Sequence, residues 1–193
     1  MDRIENREAL EQVRGASRAQ IENSRCRILI CAGTGCLAGG SGQIYERMCE
    51  LVKEHPDVEV HFGPEIAHGD GEIGVKKSGC HGFCEMGPLM RIEPQGILYT
   101  KVKPEDCDEI FHRTIEKGDV IHHLLFKQDG IEYRKQEEIP FYKKQTRNVL
   151  RNCGHIDAEH IQEYISTGGY RALEKALFEM EPEDVIKEVS DSN

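Results

Sequence analysis

Three features of the chain predict an α/β fold with an N-terminal helix in front and a helical extension behind. The run CRILIC at Cys26–Cys31 leads through glycines into a helix-period stripe. An alternating run, VEVHF, follows at residues 58–62. Two short apolar runs then flank Pro94-Gln95-Gly96, ahead of a second helical stripe.

Residues 1–24 are charged, with a weak apolar stripe at Leu10 and Val13, and predict a helix. Cys26–Cys31 is rich in apolar and β-branched residues and reads as a buried strand entering the tight loop GTGCLAGGSG. Ser41 is expected as the cap of the next helix, striped by Ile44, Met48, Leu51 and Val52 and stopped by Pro56. Residues 58–62 are expected as the second strand, parallel to the first through a right-handed crossover, and residues 63–79 as a long glycine-rich loop. Residues 89–92 and 97–100 predict a hairpin.

Pro104 at a first helical position, Glu105 and Asp106 in the first turn, the stripe Cys107, Ile110, Phe111, Thr114 and Ile115, and Gly118 past the end predict another helix. Polar, charged sequence begins near Gln128. The expected organisation is therefore a helix over 1–24, a domain over 25–127, and a linker with helices over 128–193. In that tail Asp157 is expected as a cap, Ile156 and Ile161 as a hydrophobic staple, and Gly168-Gly169 as the helix end. Tyr170, Leu173 and Leu177 stripe a further helix, and Pro182 opens the last. Phe141-Tyr142-Lys143-Lys144 and Arg147–Arg151 offer a docking surface but read first as a solvated helix face.

The 193 residues are enough for a working core, and a formal net charge of −10 disfavours nucleic acid and anionic membranes as partners. Apolar runs fall far short of the roughly 20 residues needed to span a bilayer, and a cytoplasmic location is expected. With no secretion signal, the eight cysteines point to metal binding or redox chemistry rather than to disulfides.

Cys31 and Cys36 are separated by four residues and Cys80 and Cys84 by three, each pair in a glycine-rich loop. Four thiolates in two pairs suit a tetrahedral site or a cluster with two ligands on each of two irons, and loop N–H groups near sulfur tune the potential. Two ferric ions, two sulfides and four thiolates sum to about −2, so a low reduction potential is expected in so acidic a chain. Zinc knuckles and thiol-disulfide motifs usually have two-residue spacers, which are absent here. His81 lies inside the second pair but has no counterpart in the first, and is expected to face solvent. Cys26, Cys49, Cys107 and Cys153 read as small buried hydrophobes.

Residues 33–38, GTGCLA, also match a dinucleotide-binding fingerprint. The acidic residue expected at the end of the second strand is missing, since that run ends in His61 and Phe62 with Glu65 beyond it, and nucleotide binding is the weaker reading.

The stretches CAGTGCLAGG, SGCHGFCEMGP and RIEPQGILYTKVKPED closely resemble the thioredoxin-like 2Fe-2S ferredoxin family, over roughly residues 25–127. Within it the chain looks most like the N-terminal part of the flavin-bearing, NADH-oxidising subunit of NAD(P)-linked and electron-bifurcating iron-only hydrogenases. EIPFYKKQTRNVLRNCGHIDAEHIQEYISTGGYRALEKAL is similar to the lead-in to the FMN and NADH site of that subunit. The resemblance implies a thioredoxin-like mixed sheet flanked by helices, a 2Fe-2S cluster on Cys31, Cys36, Cys80 and Cys84, and no catalytic residue in this chain. It places FMN and NAD(P) in a downstream domain outside these 193 residues. It also implies electron transfer with other redox subunits, namely a small 2Fe-2S subunit and a hydrogenase catalytic subunit. The alternative is a docking or assembly module with a structural metal.

Overall fold

The computed structural model describes residues 3–60 and 71–192. They form two compact units, one of residues 20–159 and one of the N-terminal residues to Ala19 with residues from His160 onward.

The larger unit is built on a four-stranded mixed sheet of order β2-β1-β3-β4. The strands are β1 (Cys26–Cys31), β2 (Ile73–Ser78), β3 (Met90–Glu93) and β4 (Ile97–Tyr99). β1 runs parallel to β2 and antiparallel to β3, and β3 and β4 form the expected hairpin. The period-2 alternation of strands sorts side chains to two faces. Cys26, Ile28, Ile30, Met90, Ile92, Ile97 and Tyr99 enter one core with Ile44, Met48 and Leu51, whereas Cys31 and Leu98 enter another.

The parallel partner of β1 is therefore Ile73–Ser78, not residues 58–62. Residues 58–60 are not strand, and residues 61 and 62, like Glu65, lie outside the described residues. β2 is an edge strand buried only at its two ends, so its sequence IGVKKS lacks the apolar signature of a core strand. Its lysines meet carboxylates instead, Lys76 at 3.8 Å from Asp157 and Lys77 at 3.3 Å from Glu159.

The glycine loop after β1 holds a short helix, α2 (Thr34–Ala38), and then α3 (Ser41–Glu54). Ser41 is not the cap of α3. That position falls to Gly40 at φ 95°, while Ser41 is the first helical residue and buried. From Pro104 a 3-10 turn runs into α4 (Cys107–Glu109), which widens into a π-helical stretch at Ile110–Ile115. Ile110, Phe111, Thr114 and Ile115 are all buried there. Beyond it lie a two-stranded hairpin of β5 (Phe126–Gln128) and β6 (Ile131–Tyr133), and α5 (Pro140–Lys143).

Asp157 does not cap a helix. It is buried, its main chain bridges Ser78, and its carboxylate accepts from the Glu159 amide at 2.9 Å. The next helix, α6 (Ile161–Ser166), starts four residues later with His160 as its cap position, followed by Gly168 at φ 92°.

In the smaller unit, α1 (Arg7–Glu22) packs with α6 and with α7 (Arg171–Glu179), and α8 (Pro182–Asp191) follows. Arg7 pairs with Glu174 at 2.8 Å and with Glu179 at 2.7 Å, and buried Arg14 lies 3.8 Å from Glu174.

Candidate metal centre

Cys31 is the last residue of β1 and Cys36 lies in α2, so strand and loop together fix the first pair. Cys80 follows β2 by two residues, and Cys84 opens a 3-10 turn at Cys84–Met86. Because β1 and β2 are parallel neighbours, with Cys31 opposite Ser78, both loops leave the sheet at the same end. The sheet thereby joins cysteines far apart in sequence. The sulfurs of Cys80 and Cys84 are 3.7 Å apart, and Gly33 lies against the sulfurs of both Cys80 and Cys31, 3.2 and 3.5 Å from where a Cβ would stand. Cys31 and Cys36 are buried, whereas Cys84 is exposed, so the group has one edge at the surface. Among the described residues, no three His, Cys, Asp or Glu side chains close around a single ion position.

Two glycines make this approach possible. A Cβ on Gly87 would sit 2.7 Å from Cys36 Sγ, and one on Gly33 would sit 3.0 Å from Cys80 Cβ and 3.5 Å from Cys31 Sγ. Backbone donors reach the sulfurs as the loop composition predicts. Gly82 N–H donates to Cys80 Sγ at 3.3 Å, those of Gly33 and His81 reach Cys31, and that of Leu89 reaches Cys36. The hydrogen bond from Cys36 and these N–H groups lower the Cys31 thiol to about 6 despite its burial, and Cys36, as the donor in a dry site, is raised. Cys31 is thus shifted toward thiolate, the form that binds metal, whereas burial raises Cys80.

His81 does not face solvent. It is fully buried, with Nδ1 3.1 Å from Gln136 Oε1 and Nε2 2.8 Å from Ser78 Oγ. Gln136 Oε1 also accepts from Arg91, so Nδ1 carries the proton, and Nε2 faces Ser78 Oγ, whose hydroxyl also reaches the Ile30 carbonyl at 3.3 Å. Burial lowers this imidazole to about 4, with the charges of Arg91 and Arg147 adding to it against the Gln136 hydrogen bond. It is an anchor for the second cysteine loop.

Tyr142 likewise does not lie on a solvated face, because it packs with Cys31, Cys36, Leu89 and Leu98 in the second core. Phe83, between Cys80 and Cys84, stacks on Phe141 at 4.7 Å and meets Tyr142 edge-on at 5.5 Å. Of the other thiols, Cys26 and Cys107 are buried as expected, while Cys49 and Cys153 are only partly so.

The thioredoxin-like 2Fe-2S ferredoxin family matches residues 19–114. A 2Fe-2S ferredoxin of Clostridium pasteurianum is 31% identical over 104 residues, covering 53% of this chain and 96% of that protein. The chain belongs to the thioredoxin-like 2Fe-2S ferredoxin family. This ferredoxin is also 50% identical over 44 residues to the NADP-reducing hydrogenase subunit HndC of Solidesulfovibrio fructosivorans, a match covering 23% of this chain and 9% of that subunit. Among solved structures, the thioredoxin-like 2Fe-2S ferredoxin from Aquifex aeolicus is 22% identical with a TM-score of 0.43, covering 54% of this chain and 99% of that one. The cofactor of the family is the 2Fe-2S cluster, and the residues present fit it. Two cysteine pairs stand at one end of the sheet, as ligands of two irons rather than of a single ion would, two glycines leave room at the sulfurs, and backbone N–H groups offset thiolate charge. The ferredoxin contains no helix, among the described residues, long and apolar enough to cross a membrane.

Proposed function

We propose that the chain relays single electrons, with Cys31, Cys36, Cys80 and Cys84 as the ligands of its 2Fe-2S cluster. The observation that carries this reading is the convergence of the two cysteine loops at one end of the sheet, where Gly33 lies against Cys31 and Cys80 and Gly35 against Cys84, with an exposed edge at Cys84. When bound, the cluster takes up and gives back one electron at a time. The chain's own residues exclude water at Cys31 and Cys36, bring backbone N–H donors to the sulfurs, and leave Cys84 open for approach by a partner.

We infer that this relay works in an NAD(P)-linked, cytoplasmic, multi-subunit complex of hydrogenase or NADH dehydrogenase type, a reading that the likeness to a hydrogenase subunit supports. Its partners there are a small 2Fe-2S subunit and a hydrogenase catalytic subunit, and if the chain is part of a longer subunit, FMN and NAD(P) belong to a domain beyond residues 128–193. Iron and acid-labile sulfide analysis, with EPR after reduction, tests the relay. Two irons and two sulfides per chain and a reduced-state signal are expected, whereas a colourless protein with one zinc overturns it.

A second reading, a docking module with a structural metal, draws on the exposed Leu173, Leu177, Phe178, Ile186 and Val189 of α7 and α8. Cys80→Ser separates the two, because a relay loses electron transfer and a scaffold loses folding or complex formation.

A further inference from the structure

Two polar groups beside the cysteines are buried and unused. Tyr142 is only 7% exposed, and its hydroxyl has no hydrogen-bond partner among the described residues. Nη1 of Arg147 is in the same position. Both side chains are held in place. The Tyr142 ring is clamped by Phe83 and Phe141's neighbourhood on one side and by the Arg147 guanidinium, 5.3 Å from its centroid, on another. Arg147 Nη2 donates to the main-chain carbonyl of His81, inside the second cysteine loop.

A buried hydroxyl without a partner is costly, and buried polar groups are nearly always satisfied. These two donors therefore lack an acceptor that belongs to the site. The direction they face is set by their neighbours, since Tyr142 shares a core with Cys31 and Cys36. Burial is the main reason its hydroxyl resists ionisation, and the charges of Cys31, Cys80 and Cys36 add to it.

We propose that the Tyr142 hydroxyl and the Arg147 guanidinium donate to sulfur of the cluster and raise its reduction potential. This inference rests on the relay reading above. The two residues lie outside the family-matched stretch 19–114, so a segment added to the ferredoxin domain adjusts the cofactor within it. Reduction takes the cluster and its thiolates from about −2 to about −3, and donors or positive charge stabilise the more negative state more. In a chain of net charge −10 such an offset works against the general field.

The test is an EPR-monitored redox titration of the full chain, beside Tyr142→Phe and Arg147→Gln, each checked for iron and sulfide. Fully loaded Tyr142→Phe is expected to show a reduced-to-oxidised ratio about tenfold lower at a fixed poise, equivalent to ~59 mV for one electron. Its iron-sulfur vibrations lose a shift that the wild type shows on transfer to deuterated water. Arg147→Gln moves the midpoint the same way and decides the matter by the same criterion should Tyr142→Phe not load. A wild-type chain without iron and sulfide overturns both readings. A normally loaded wild type whose midpoint is unchanged by both substitutions overturns this inference alone.

Discussion

His81, inside the second cysteine loop, hydrogen-bonds through Nδ1 to Gln136 Oε1, 3.1 Å away in a segment beyond the family-matched residues. With Arg147 on the His81 carbonyl and Phe141 on Phe83, this ties residues 136–147 to the Cys80–Cys84 loop.

Gln136→Leu is expected to leave the buried His81 N–H without an acceptor. The penalty of an unsatisfied buried donor is about 1–3 kcal/mol. Denaturant unfolding of the purified chain should show a lower midpoint at unchanged slope.

Replacing Cys31, Cys36, Cys80 or Cys84 singly by serine is expected to lower iron and sulfide per chain, most for Cys31 and Cys36 in the dry part of the site. Cys107→Ala and Cys49→Ala should keep a full complement of iron. Equal iron in all six variants would detach the cluster from these positions.

Gly87→Ala is expected to cut iron loading sharply, because its Cβ would be forced to 2.7 Å from Cys36 Sγ. Gly15→Ala is the control, since nothing lies within 4 Å of its Cβ in the middle of α1. Loading should be unaffected there, and stability should rise by up to about 1 kcal/mol from helix propensity. Iron analysis and thermal unfolding of both variants check the pair.

Tyr99→Phe is expected to destabilise the fold by about 1–3 kcal/mol without changing iron content. The Tyr99 hydroxyl is buried 2.7 Å from Thr114 Oγ1 and accepts from the Ile121 amide at 3.0 Å, joining β4 to the π-helical stretch and the loop after it. Thermal unfolding beside iron analysis reads the two effects separately.

Patterns that depend on near neighbours in the chain could be read directly. The apolar run of β1, the hairpin across Pro94-Gln95-Gly96, the helices opened by Pro104 and Pro182, and the two cysteine spacers each carry local signals. The loop glycines also announced close approach of backbone to sulfur, which Gly33 and Gly87 fulfil.

What the chain could not show are choices made by partners distant in sequence. The parallel strand beside β1 is IGVKKS because an edge strand can satisfy its lysines with Asp157 and Glu159, a compensation invisible in its own composition. His81 is buried, contrary to its reading as a solvent-facing residue, because Ser78 and Gln136 both reach its ring. Asp157 leaves the helix it seemed to cap for a bridge to Ser78. The two cysteine pairs and the glycines around them were thus legible in sequence alone, since spacing and glycine content are local properties. Which edge strand brings the pairs together, and which side chains enclose them, only the tertiary structure decided, because buried polar groups settle where their hydrogen bonds can be completed.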